Sequence, residues 1–297
     1  MSRVLLPFPL QRGFAQAMAP VLDARVAQLD WRRFPDGESL VTLEPDLVGA
    51  NLAIVASLHH PDAMALALRF AAQTARNLGA RSVGLIAPYL AYMRQDRSFH
   101  PGEAVSATLF AAFLQQSFDW LVTVDPHLHR NPSLDRIFQI PASRVAAAPA
   151  IAEWIREQVP SPLLIGPDSE SEQWVTEIAQ GAGAPSQVLS KQRRGDRNVS
   201  VSLPNLHGAA GRTPVIVDDI MSSGRTVIET IVHLQALGLA KPVCIATHAV
   251  FADDAYEQIL AAGAARVVST DSIPHPSNVI SVTGLVAAEA RKLMANR

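Results

Sequence analysis

Short apolar runs rich in β-branched residues alternate along this chain with longer amphipathic stretches. The runs fall at residues 52–56, 83–87, 121–124, 163–165, 215–217, 243–246 and 267–268. Between them, at 62–78, 104–116, 170–180, 225–237 and 253–262, apolar residues recur every three or four positions, the period of a helix with one buried face. Strands joined by helical crossovers predict an α/β fold whose largely parallel sheets are covered on both faces. Ligands of such sheets gather beyond the carboxyl ends of the strands, and the polar motifs of this chain begin there.

The pattern also repeats. Residues 51–57, a helix, Leu78-Gly79 and residues 83–87 parallel residues 213–219, a helix, Leu237-Gly238 and residues 243–246. Later, Leu121-Val-Thr-Val-Asp-Pro-His parallels Val267-Val-Ser-Thr-Asp-Ser-Ile-Pro-His. Two similar domains follow as the expectation, residues 1–145 and 146–297, divided in an Ala-Pro-rich stretch. The first copy has Ala56-Ser-Leu-His-His where the second has a pair of acids and Gly-Arg-Thr.

Composition narrows the classes. With 48% hydrophobic and 18% charged residues over 297 positions, the chain can bury a sizeable core and is not of disordered type. A net charge of −2 gives no footprint for nucleic acid or an anionic membrane. The single cysteine, Cys244, excludes an internal disulfide and reads as a core thiol. The N-terminus lacks the cationic and apolar regions of a signal peptide, and no apolar run is long enough to span a bilayer, so a cytoplasmic protein is expected.

The most informative segment is Val215-Ile-Val-Asp-Asp-Ile-Met-Ser-Ser-Gly-Arg-Thr226. An apolar run ends on Asp218 and Asp219, a small-residue turn follows, and a helical pattern starts near Arg225. The first turn of a helix carries N–H groups without partners and the positive end of the helix dipole, which suits an anion. Ser222, Ser223 and Thr226 add hydroxyl donors and Gly224 permits close approach of the backbone. A phosphate fits this turn, while the two acids can accept hydrogen bonds from sugar hydroxyls. An acid-rich turn capping a surface helix is the plainer alternative. The loop resembles the ribose-phosphate loop of the phosphoribosyltransferase superfamily.

Four further segments make the resemblance specific: Arg33-Phe-Pro-Asp-Gly-Glu38, Tyr89-Leu-Ala-Tyr-Met-Arg-Gln-Asp-Arg97, Asp125-Pro-His127 and Lys191-Gln-Arg-Arg-Gly-Asp-Arg197. Together with the acid-pair loop they resemble the ribose-phosphate pyrophosphokinase family over nearly the whole chain. The resemblance implies two phosphoribosyltransferase-like α/β domains, a homo-oligomer, and transfer of the β,γ-diphosphoryl group of ATP to the C1 hydroxyl of ribose 5-phosphate with Mg²⁺. It implies ATP contacts from Phe34, Asp36, Gly37, Glu38, Arg94 and Gln95, and metal contacts from His127 and Asp168. Lys191 and Arg193 match the family's mobile catalytic loop. Arg193, Asp218, Asp219, Ser222, Ser223, Gly224, Arg225 and Thr226 match the binding set for ribose 5-phosphate.

The chain departs from the family's common pattern in two places, which marks a divergent branch. Ser169-Glu-Ser-Glu172 follows Asp168 where a Gly-rich turn is usual, and Ser222 and Arg225 replace the more frequent Asp and Gly. The serines at 169 and 171 offer donors to a phosphate; the two glutamates would repel one unless turned away. Two other functions share parts of this pattern. A phosphoribosyltransferase consuming the activated sugar would need the acid-pair loop but neither Phe34-Pro-Asp-Gly-Glu38 nor Arg94-Gln95. A non-catalytic regulatory relative would be expected to have lost the cationic loop or the metal residues, and both are present here.

Overall fold

The computed structural model describes residues 2–128, 133–194, 198–202 and 209–295, the side chains of 170, 190–194 and 198–202 excepted. By contact the chain divides into two compact units. The first is Met1–Ala146 with Ser272–Pro274 and Val282–Arg297; the second is Ala147–Asp271 with His275–Ser281.

The first unit runs β1 (Arg3–Pro7), α1 (Arg12–Leu22), β2 (Ala24–Val26), β3 (Leu29–Arg33), β4 (Ser39–Leu43), β5 (Asn51–Val55), α2 (Pro61–Asn77), β6 (Ser82–Ala87), α3 (Ser106–Gln115), β7 (Trp120–Val124) and β8 (Ala142–Val145). Its sheet is parallel throughout, in the order β2-β1-β5-β6-β7-β8. β3 and β4 form a separate antiparallel hairpin that packs against α2. Every residue of β5, β6 and β7 is buried, as expected of strands covered on both faces, and this is why they read as unbroken apolar runs.

The second unit runs α4 (Ala148–Gln158), β9 (Pro162–Gly166), α5 (Glu172–Ala182), β10 (Ser186–Val188), β11 (Ser190–Arg194), β12 (Asn198–Ser202), β13 (Thr213–Met221), α6 (Arg225–Ala236), β14 (Val243–Ala249), α7 (Ala255–Ala261), β15 (Arg266–Thr270) and β16 (Asn278–Ile280). Its parallel sheet has the order β10-β9-β13-β14-β15-β16, the same arrangement strand for strand as the first. The repeated segments of the sequence lie on corresponding strands, β5 with β13 and β7 with β15. Each unit is a parallel sheet flanked by helices.

A final helix, α8 (Thr283–Ala295), buries Thr283, Val286, Ala287, Ala290 and Met294, one face at helical spacing. That face packs on α1 and on β6, β7 and β8, so the last helix of the chain completes the first unit. Among the described residues no helix is long and apolar enough to cross a membrane. Cys244 is buried on β14, and desolvation pushes its thiol up to about 12, leaving it a core residue.

One cross-strand pair shows how closely the first core is fitted. Gly84 on β6 lies opposite Trp120 on β7, and a Cβ at position 84 would sit 1.9 Å from the indole ring. The absent side chain is the space the indole fills, and Trp120 is fully buried. Gly84→Ala is therefore expected to lower stability by about 1–3 kcal/mol or more, the range for overpacked cores. Urea denaturation followed by fluorescence measures this, and the same change should cost far less in a Trp120→Leu background. Equal costs in the two backgrounds would show that the ring is not the obstacle.

Candidate active site

The acid pair of the second unit lies at the mouth of its sheet. β13 pairs with β9 on one side and β14 on the other, and runs on past Asp218 and Asp219 as far as Met221. The sequence reading ended this strand at the acids. It continues because Ile220 and Met221 stay in register with His248 and Ala249 and Met221 is buried. Each carboxylate takes the next backbone donor: the Asp219 N–H donates to Asp218 Oδ1 at 3.0 Å, and the Ile220 N–H to Asp219 Oδ1 at 2.7 Å.

Ser222 and Ser223 make the turn, whose form is fixed by contacts from the segment after β14. The Phe251 N–H donates to the Met221 carbonyl at 2.8 Å and the Ala252 N–H to that of Ser222 at 3.1 Å. Gly224 then caps α6 with φ of 69°. A Cβ there would meet Ile259 at 3.0 Å, so both backbone and space require glycine. No side chain caps α6, which leaves its first N–H groups directed at whatever occupies the turn. Arg225 is exposed and Thr226 half-buried on the first turn.

Asp168 follows the end of β9, the strand beside β13, and its charge acts on Asp218. Burial, then the charges of Asp219 and Asp168, push the Asp218 carboxyl well above the usual carboxylate range. The sequence reading offered Ser169 and Ser171 to a phosphate; for Ser171 the structure differs. Ser171 is fully buried, its hydroxyl donates to the Asp168 carbonyl at 2.6 Å, and its N–H reaches Asp168 Oδ1 at 3.2 Å. It shapes the turn that carries Asp168. Glu172 is exposed in the first turn of α5, directed to solvent and favourably placed against the helix dipole.

Lys191 and Arg193 lie on β11, in antiparallel register with Val201 and Val199 of β12. The backbone here is a β-ribbon where the sequence suggested a loop. The side chains of both residues, and positions 195–197, lie outside the described residues.

In the first unit, the Phe34 segment is the turn of the β3–β4 hairpin. The Phe34 N–H donates to the Glu38 carbonyl at 2.8 Å, the Gly37 N–H to that of Phe34 at 2.9 Å, and the Glu38 N–H to Asp36 Oδ1 at 3.2 Å. Gly37 takes φ of 93°, which the turn demands. Glu38 is exposed and Phe34 is 38% exposed. The Arg32 guanidinium covers one face of the Phe34 ring at 4.7 Å. Arg32, near the end of β3, was missed in the sequence.

Arg94 is exposed and Gln95 half-buried in the segment after β6. The Gln95 backbone is held twice, its N–H by the Tyr92 carbonyl at 3.2 Å and its carbonyl by the Ala107 N–H at 3.1 Å. His127, half-buried, follows the end of β7. Asp125, just before it, is fixed by Arg144, whose Nε and a terminal nitrogen donate to Oδ1 at 2.9 and 2.7 Å. Arg144 of β8 is a second residue that nothing in the linear pattern singled out.

Comparison with known proteins agrees with this architecture. The family pattern described as the N-terminal domain of ribose phosphate pyrophosphokinase matches residues 5–117, and that of the phosphoribosyl transferase domain matches residues 133–283. The ribose-phosphate pyrophosphokinase of Methanopyrus kandleri is 34% identical over 279 residues, 93% of this chain and 94% of that protein. That of Halobacterium salinarum is 32% identical over 287 residues, 96% of this chain and 99% of its own. The crystal structure of phosphoribosylpyrophosphate synthetase from Mycobacterium smegmatis superposes with a TM-score of 0.86 at 23% identity, covering 100% of both chains.

The crowding at Asp218 has a measurable consequence. A carboxyl whose folded-state pKa exceeds its unfolded value of about 3.9 favours folding below that value, and the advantage is lost as pH rises through the folded pKa. Asp218→Asn keeps the acceptor for the Asp219 N–H but carries no charge. In EDTA it should raise the urea midpoint at about pH 8, and the gain should vanish as pH falls below about 4. A variant less stable than the wild type at the higher pH would contradict the electrostatic account.

Proposed function

Because this chain belongs to the ribose-phosphate pyrophosphokinase family, in a divergent branch of it, we propose that it moves the β,γ-diphosphoryl group of ATP onto O1 of ribose 5-phosphate. The observation that carries this reading is the acid-tipped β13 leading through left-handed Gly224 into the uncapped start of α6. Asp218 and Asp219 accept hydrogen bonds from the ribose hydroxyls. Ser222, Ser223, Gly224, Arg225 and Thr226 seat the 5-phosphate on the first N–H groups of α6.

Phe34 stacks on the adenine with the ring face that Arg32 leaves open. Glu38, and the carboxylate oxygen of Asp36 not taken by the turn, accept hydrogen bonds from the base or its ribose, and Gly37 sets the turn. Arg94 and Gln95 hold the polyphosphate, for which the planar donors of a guanidinium are well suited. O1 of the sugar attacks the β-phosphorus and gives up its proton to solvent, the bond from that phosphorus to the α,β-bridging oxygen breaks, and AMP leaves. No side chain is assigned as general base; positioning carries the step. Lys191 and Arg193 neutralise charge that develops on the transferring group, and Arg193 also contacts the sugar phosphate.

Metal contacts are assigned to Asp168 and His127. Among the described residues no group of three or more His, Cys, Asp or Glu side chains could hold an ion by itself. Magnesium keeps waters and substrate phosphate oxygens in its shell, so a small protein contribution suffices. When bound, it neutralises the phosphate oxygens during transfer. The assembly proposed is a homo-oligomer.

The direct test is incubation of the purified protein with ATP, Mg²⁺ and ribose 5-phosphate. AMP released only when the sugar is present supports the reading. Pyrophosphate released from phosphoribosyl pyrophosphate and a base would instead indicate a phosphoribosyltransferase, and no turnover in either assay a non-catalytic relative. Lys191→Ala should lower kcat by roughly a hundred- to thousandfold, as loss of a transition-state donor does, with the KM for ribose 5-phosphate little changed. Near-normal turnover in that variant would remove Lys191 from the mechanism.

A further inference from the structure

Tyr92 holds φ of 67°, a left-handed conformation that costs a bulky residue of order 1–3 kcal/mol and persists only where surrounding contacts impose it. Those contacts are visible. Its hydroxyl donates to Asp62 Oδ1 in the first turn of α2, and its ring lies 4.7 Å from that of Phe110 on α3. The neighbouring Ala91 and Met93 are buried, at 4% and 2% exposure. The Tyr92 carbonyl accepts the Gln95 N–H at 3.2 Å, and Arg94, between them, stands exposed. The turn that presents Arg94 and Gln95 is therefore built on Tyr92.

We propose that Tyr92 and Asp62 form a positioning pair for the nucleotide: the bond between them fixes the strained backbone that aims Arg94 and Gln95. This rests on the reading of Arg94 and Gln95 as ATP contacts. The same turn of α2 fastens the other nucleotide segment, because the Arg33 guanidinium donates to the Ala63 carbonyl and lies over Trp31 at 5.6 Å. Residues 62 and 63 thus anchor both the Phe34 hairpin and the Arg94 turn. The bond to Asp62 also pushes the Tyr92 phenol upward, so the hydroxyl keeps its proton and remains the donor throughout the neutral range. The pair lies at the surface, where a single hydrogen bond adds little to global stability; its effect should appear in binding.

Tyr92→Phe keeps the ring and removes the tie. Steady-state kinetics should show the KM for ATP raised about three- to tenfold, with kcat and the KM for ribose 5-phosphate within about twofold and the urea midpoint unchanged. Asp62→Ala, which removes the acceptor, should weaken ATP in the same way, and the double variant should be no worse than the poorer single one. Asp62→Glu should recover part of the loss. Arg94→Ala serves as the reference. If it raises the KM for ATP while Tyr92→Phe does not, the pair has no positioning role. A Tyr92→Phe enzyme with a lower urea midpoint and parallel losses in kcat and both KM values would mean that the contact is only structural, which also overturns the proposal. An unchanged KM for ATP in Arg94→Ala would sink the nucleotide reading itself, and the pair with it.

Discussion

Mutual repulsion among carboxylates at the ends of β9 and β13 is the constraint around which the second unit is arranged. Asp218, Asp219 and Asp168 stand close enough that their charges oppose the ionisation of Asp218 in a place with little water. Backbone donors meet part of the demand: the N–H groups of Asp219, Ile220 and Ser171 each reach one of these carboxylates. The uncapped start of α6 supplies a positive end close by.

The first unit answers a different demand on the same scaffold. Four non-glycine residues with positive φ, Leu10, His60, Tyr92 and Asp125, follow β1, β5, β6 and β7, which are consecutive in the sheet. Strain gathered at one edge of a sheet marks positions held by contacts rather than by local preference. The turn after β5 corresponds to the acid loop of the second unit but carries no acid pair. There Ser57 donates instead to the Ser272 carbonyl at 2.7 Å, a packing contact within the unit. Aromatic rings and guanidinium groups replace carboxylates: Arg32 on Phe34, Arg33 on Trp31, Tyr92 against Phe110. One fold thus carries a carboxylate pair on a central strand of one unit, and guanidinium and aromatic contacts in a hairpin and turn of the other.

Much of this was legible in the linear pattern. Buried parallel strands announce themselves as unbroken apolar runs, so β5, β6, β7, β13 and β14 stood out, and the helices between them followed from their period. The short edge strands β2, β8, β10 and β16 did not, because half-exposed segments of three or four residues have no distinctive pattern. Ser171 shows a different limit. A serine beside an acid in a polar turn looks like a ligand donor, and only its complete burial beneath Asp168 reveals a structural hydroxyl. The extension of β13 to Met221 was likewise hidden, since pairing with β14 is a long-range interaction.

The amino-acid sequence on its own determined the α/β class, the twofold repetition of the sheet and the acid-pair loop. These are local properties: hydrophobic period, turn chemistry and residue type reside in short windows of chain. Tertiary structure alone decided that α8 returns to complete the first unit, that Arg144 and Arg32 brace their neighbours, and that Asp62 holds Tyr92 in a strained turn. It also set the crowding that raises Asp218. Each of these depends on groups distant in the chain meeting at contact range, where electrostatic and packing energies are fixed by separation and burial.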